Sequence, residues 1–308
     1  MIVDAHAHVT PGLCGFHGTG RTRSLPWGQA MMGTRVVRVV PPLDPEPLRF
    51  LPESLLAMMD EAGVERAVLL QGPFYGDHNQ FLHQAVTRWP ERFVPAAYVD
   101  PWSPEGSAQF TQAVDQFGFR IVKLEMSEAT GLVGIHPDAR LNDERGQWIA
   151  AACAERGLVL TLDLGAVGSL SYQTAAVDEL ARRHPDLKIV IAHLAQPPLA
   201  DHGDAEQQRA WEEQIALGRH EHVWFDTSAL PACGGQEYPF PRAVETIRRA
   251  YELIGAEKLL WGTDAPGLLA QATYQQLLDM VRRHCAFFTP AELTAVLGGN
   301  AARVYLPP

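Results

Sequence analysis

Two histidines separated by one residue stand near the start of the chain, in MIVDAHAHVTPG. Side chains alternate between the two faces of a β-strand, so His6 and His8 would point the same way. Neutral imidazoles suit zinc and related divalent ions, and a strand end can aim two of them at one point. By itself the pair is weak evidence, and two polar residues in a terminal segment are the better reading of it. Two further stretches share the pattern: IAHL places His193 after an apolar run, and WGTD places Asp264 after another. Three imidazoles and a carboxylate brought together would make a site able to bind a divalent metal and activate water.

Such a site needs a frame that gathers distant segments. Eight short apolar, β-branched runs recur along the chain: 2–6, 64–72, 93–101, 119–126, 158–165, 188–195, 222–230 and 258–267. They are almost continuously apolar, as expected for parallel strands covered on both faces. The segments between them are mostly long enough for a helix, such as PESLLAMMDEAG, HNQFLHQAVTRWPER and YQTAAVDELARRHPD. The reading is an α/β fold, a (β/α)8 TIM barrel with a long loop after strand one, forming a single domain over 1–308. A doubly wound open sheet is the alternative, but no GxGxxG marks a strand-to-helix turn.

A barrel of this kind builds its active site at the C-terminal ends of its strands. Those ends carry, in order, His6 and His8, Gln71, Asp100, Glu125, Asp163, His193, Asp226 and Asp264. So many ligand-type residues placed where apolar runs stop is the strongest signal in the sequence. Residues 10–52 are rich in Gly, Pro and Arg and too long for an ordinary connection, so they read as an active-site loop insertion. Arg21, Arg23, Arg35 and Arg38 crowd this loop, and an arginine fork binds a carboxylate bidentately. Arg21, Arg23, His78 and Trp102 are taken as candidate substrate-binding residues, each weighed against a solvated or packing role. His17, Trp27 and Tyr75 also fall at mouth height.

Composition limits the function further. The net charge of −11 disfavours nucleic acid and anionic membrane as partners, leaving a small-molecule substrate. No apolar run reaches the ~18 residues of a membrane span, and MIVDAHAHV lacks the regions of a signal peptide, so a cytoplasmic protein is expected. Cys14, Cys153, Cys233 and Cys285 are far apart and form no CxxC, which excludes a cysteine zinc site. The apolar C-terminal region and the first loop are candidate contacts for a homo-oligomer.

The chain resembles the amidohydrolase superfamily, in the branch of metal-dependent hydrolases and aminocarboxymuconate-semialdehyde-type decarboxylases. The resemblance rests on DAHAH, PERFVPAAYVDP, IAHL, WGTDAP and the closing GGNAARVY, in the expected order over nearly the whole chain. It implies that His6 and His8 bind the metal, and that Asp264 binds the metal or its water and shuttles a proton. His193 would join a second metal or act as an acid/base and electrostatic group. At strand five the family commonly has a histidine ligand, whereas this chain has Asp163. Asp163 could ligate or hydrogen-bond to a ligating histidine, and Glu125 beside Lys123 on strand four could supply the missing ligand.

The expected function is therefore a metal-dependent hydrolase of a small, carboxylated or aromatic substrate. Zn is the expected ion and Mn the alternative. A decarboxylase (lyase) on the same barrel is the runner-up, and a non-catalytic binding barrel is the third reading.

Overall fold

The computed structural model describes residues 1–198, 204–234 and 237–306. Its strands, in chain order, are β1 (Val3–Ala7), β2 (Phe16–His17), β3 (Gly20–Leu25), β4 (Gln29–Met32), β5 (Arg35–Arg38), β6 (Arg66–Leu69), β7 (Phe93–Tyr98), β8 (Ile121–Glu125), β9 (Val159–Asp163), β10 (Lys188–Ile191), β11 (Val223–Asp226) and β12 (Leu259–Leu260). β1 and β6 to β12 form one eight-stranded parallel sheet in chain order. The Ala5 amide donates to Trp261 O at 2.9 Å and Ala7 bridges in parallel to Ala265, which closes the sheet into the expected barrel.

The connecting segments form helices for local reasons. In Pro52–Ala62, proline occupies the first turn and Gly63 ends the helix at φ 72°, a conformation that glycine adopts without strain. Its Leu55 and Met59, one turn apart, are fully buried against the barrel. Asp143 caps Glu144–Glu155, its carboxylate accepting from the amides of Arg145 and Gly146 at 2.8 Å each.

One face of the strands packs outward on these helices, through residues such as Leu69, Leu124, Leu162 and Phe225. The other fills the barrel floor with Val3, Ala5, Ile121, Val159 and Val190, plugged by Val304 and Tyr305 of the last helix. Alternation carries Ile121–Lys123–Glu125 and Val159–Thr161–Asp163 along this inner face. The interior therefore changes from apolar to polar toward the C-terminal strand ends, where the site lies. Among the described residues, no helix is long and apolar enough to cross a membrane.

Three features differ from the sequence-based expectation. The run 188–195 ends as a strand at Ile191, and the run 258–267 pairs only over Leu259–Leu260. β1 is irregular, with a register shift between Asp4 and Ala7. His6 and His8 still share the mouth, their ring centroids 5.1 Å apart. The first insertion is more than a loop: β2 to β5 form a four-stranded antiparallel sheet. Gly28 (φ 70°) and Gly33 (φ 59°) make its turns, and a Cβ on Gly28 would lie 2.3 Å from Val40 O. Leu13, Ala30, Leu48 and Tyr75 form a small core beneath this sheet.

Candidate active site

The three histidines are oriented by what their Nδ1 atoms face. His6 Nδ1 lies 2.9 Å from Asp226 Oδ2 and His8 Nδ1 lies 2.8 Å from Leu70 O. A carboxylate and a carbonyl can only accept, so both Nδ1 atoms carry the proton. His193 Nδ1 lies 2.8 Å from Ser228 Oγ, whose own hydroxyl donates to Asp226 Oδ1, so Nδ1 of His193 is again the donor. In neutral His6 and His8 this leaves the Nε2 lone pair facing the barrel mouth, the tautomer that a metal ligand requires.

Asp264 meets these rings. Its Oδ1 stands 3.0 Å from His8 Nε2 and 3.7 Å from His6 Nε2. Among the described residues, the ligand atoms of His6, His193 and Asp264 lie within 4.8 Å of one another. His6 Nε2 is fully buried and has no hydrogen-bond partner. An unpartnered buried nitrogen is costly, and a divalent cation is the partner that imidazole and carboxylate donors suit. Burial is the main cause that pushes the His6 imidazole down to about 4, with Lys123 and His193 adding to it, so the ring is neutral as ligation needs. The donor set fits a divalent metal.

Both reacting groups sit on left-handed backbone. After β10, His193, Leu194, Ala195 and Gln196 have φ of 58°, 46°, 56° and 44°, and Asp264 has φ 60°. Each such residue costs about 1–2 kcal/mol. Tertiary contacts hold the turn: the His193 amide donates to Asp226 Oδ1 at 3.0 Å, and Trp211 Nε1 donates to Leu194 O at 2.7 Å. Asp4 braces the other strand end, accepting from the Thr263 amide at 3.0 Å and from Tyr274 OH at 2.9 Å.

Asp163 is placed as a partner of His193. Its Oδ2 lies 3.3 Å from His193 Nε2, while Oδ1 accepts from the Gly165 amide at 3.0 Å and Gln196 Nε2 at 3.1 Å. Glu125 lies opposite Asp163 in the β8–β9 register, and its Oε1 accepts from the hydroxyls of Ser127 and Thr130. Lys123 is buried one step deeper on the same face.

Burial opposes a charge on His193, yet Asp163 and the neighbouring Asp264 and Asp226 outweigh it and lift the imidazole up to about 9. The pH dependence has a definite sign. A raised histidine contributes stability fully below its ordinary value of about 6.5 and loses it as pH rises through about 9. Urea midpoints of chelator-treated protein are expected to fall across this window, and to fall much less for Asp163→Asn. Equal slopes in the two proteins would show that the pair does not carry this dependence.

The candidate substrate-binding residues are not gathered at this centre. Arg21 and Arg23 are exposed on β3, and Arg21 stacks over Phe16 at 5.0 Å. His78 Nε2 lies 2.8 Å from Gly12 O and so ties the insertion down. Trp102 Nε1 donates to the capping carboxylate of Asp143 at 2.8 Å. Tyr75 is closer to the chemistry, stacked on His8 with centroids 4.8 Å apart. The sequence reading placed Asp226 at a strand end but gave it no role, and it did not single out Ser228. The only signal for Asp226 was its place where an apolar run stops.

Comparison with known proteins agrees with this architecture. The chain is 27% identical over 265 residues to L-fucono-1,5-lactonase of Burkholderia ambifaria, covering 83% of this chain and 85% of that one. Its fold matches that of an amidohydrolase from Burkholderia multivorans with bound Zn (TM-score 0.75, 19% identity, all of both chains). It also matches a probable 2-pyrone-4,6-dicarboxylic acid hydrolase from Acinetobacter baumannii with citric acid bound (TM-score 0.69, 18% identity, 99% of this chain and 98% of that one). The amidohydrolase family model spans residues 3–306, from the first barrel strand through the last helix, and the chain therefore belongs to the amidohydrolase family.

Proposed function

We propose that the protein hydrolyses a small cyclic ester, a lactone, with Asp264 as the proton carrier. As a family member it is a metal-dependent hydrolase of a small substrate. The observation that carries the site assignment is the convergence of His6, His8, His193 and the Asp264 carboxylate at one end of the barrel. The lactone reading is supported by the names of two relatives, since a 1,5-lactone and a 2-pyrone are both cyclic esters.

His6, His8 and Asp264 would hold the ion, with His193 at its edge; Zn suits the imidazoles and Mn is the alternative. When bound, a divalent ion polarises the ester carbonyl and makes nearby water more acidic. The chain's own groups do the rest. Burial would raise the Asp264 carboxyl, but the adjacent His8 and the charge of His193 hold it below its usual range, so it is ionised at neutral pH. It accepts a proton from water as the water oxygen bonds to the acyl carbon. Positive charge at His193 stabilises the oxyanion that forms. As the acyl–oxygen bond breaks, Asp264 returns the proton to the ring oxygen, and the product is the open hydroxy acid. Asp226 orients His6 and His193 throughout, and Asp163 fixes the His193 ring.

In this reading the partner is a small molecule in the cytoplasm, without nucleic acid or membrane. The β2–β5 sheet is the proposed contact of a homo-oligomer. The test is product analysis of metal-loaded protein with a lactone panel, in which open hydroxy acid without carbon dioxide is expected. Carbon dioxide release would instead establish the decarboxylase reading. Metal content below about 0.1 equivalent, with no activation on adding Zn or Mn, would overturn the metal assignment.

A further inference from the structure

The two named lactones above differ in charge: the pyrone bears two carboxylates, while the fuconolactone is a neutral polyol. The cavity beside the reacting groups distinguishes these classes. It has a volume of about 570 Å³ and opens from Asp163 between the segments 127–130 and 163–169. That size is ordinary for a small-molecule site. Ser127, Thr130, Ser169 and Gln196 line it together with the carboxylates of Asp163 and Glu128, and no Lys, Arg or His is among its lining residues.

Resting on the lactone reading, we propose that this cavity receives the hydroxyl groups of an uncharged, polyhydroxylated lactone and rejects a carboxylate. A hydroxyl both donates and accepts, so it can give a hydrogen bond to a carboxylate and take one from Ser or Thr. Gln196 already donates its amide to Asp163 Oδ1 at 3.1 Å, which leaves its Oε1 to accept from a ligand hydroxyl. An anion in the same place meets the carboxylates of Asp163 and Glu128, and none of the lining residues is a cation that could pair it. The exposed arginines of β3 lie outside this lining. Gln196 also ends the left-handed turn that begins at His193, so one strained segment carries both a reacting group and a recognition group.

The test compares three probes on the metal-loaded protein: an aldonolactone, the aldarolactone with the same ring and hydroxyl pattern, and unsubstituted δ-valerolactone. The aldonolactone is expected to exceed the aldarolactone in kcat/KM by about 100-fold. Ser169→Ala and Gln196→Asn are expected to lower the ratio of aldonolactone to δ-valerolactone cleavage by about 10-fold each, through KM. Asparagine tolerates the left-handed φ of 44° at position 196, so that variant keeps the turn. Ser169→Lys, which adds a cation at the rim, is expected to raise aldarolactone cleavage by about 10-fold. An aldarolactone cleaved as well as the aldonolactone overturns the proposal. So does cleavage of δ-valerolactone with no gain from ring hydroxyls, and in that case the lactone reading stands. If none of the three is cleaved, the lactone reading itself falls, and the proposal with it.

Discussion

Asp264→Asn is expected to lower kcat/KM by about 10³-fold or more while the barrel stays folded. A general base typically contributes about 10²–10⁴-fold, and the amide can neither take a proton from water nor return it to the leaving oxygen. The loss corresponds to about 4 kcal/mol of transition-state stabilisation. The fold is expected to survive because asparagine is one of the few residues that adopts the left-handed conformation found here, φ 60°. The isosteric side chain also keeps contact with His8, 3.0 Å away in the native protein. The loss is expected in kcat, with circular dichroism and the urea midpoint near wild type. A variant that keeps a tenth or more of the activity would remove Asp264 from the role of proton carrier.

Asp226→Ala is expected to be the most destabilising single change at the site, by about 3–5 kcal/mol. The fully buried carboxylate accepts from His6 Nδ1 at 2.9 Å, the His193 amide at 3.0 Å, and both the amide and the hydroxyl of Ser228. Burial alone would raise this carboxyl, but the adjacent His6 and His193 hold it far below its usual range, so it is an anion that these donors require. Removing it leaves them without an acceptor in a dry interior. Asp226→Asn separates the metal effect from the stability effect. Its Oδ1 can still serve His193 and Ser228, but its amide faces His6 Nδ1 and forces the proton onto Nε2. That change removes the lone pair aimed at the metal, so Zn affinity measured against a competing chelator is expected to fall about 10–100-fold with a smaller loss of stability. Unchanged Zn affinity in the asparagine variant would contradict the tautomer assigned to His6.

Most of the frame was legible in the sequence. Apolar, β-branched runs separated by helix-length segments specify a parallel sheet, because burial on both faces demands them and the period is local. The ligand-type residues were legible for the same reason: a barrel's polar mouth begins where the apolar run stops, and His6, His8, His193 and Asp264 stand at those stops. The β2–β5 sheet was harder to see, because its short strands are mostly half-exposed and its glycine-rich turns resemble those of an ordinary loop.

What the tertiary structure decided was orientation. No local pattern indicates that Asp226 reaches His6, 220 residues away in the chain. That contact depends on how parallel strands set their register around a closed barrel. Nor does IAHLAQ announce four left-handed residues, since each is unfavourable by itself and persists only because Asp226, Trp211 and Asp163 hold the turn. Residue type and strand position, which are local, determined which atoms could bind a metal. Which nitrogen of each ring faces it depends on acceptors supplied by other strands, and only the folded chain brings those together.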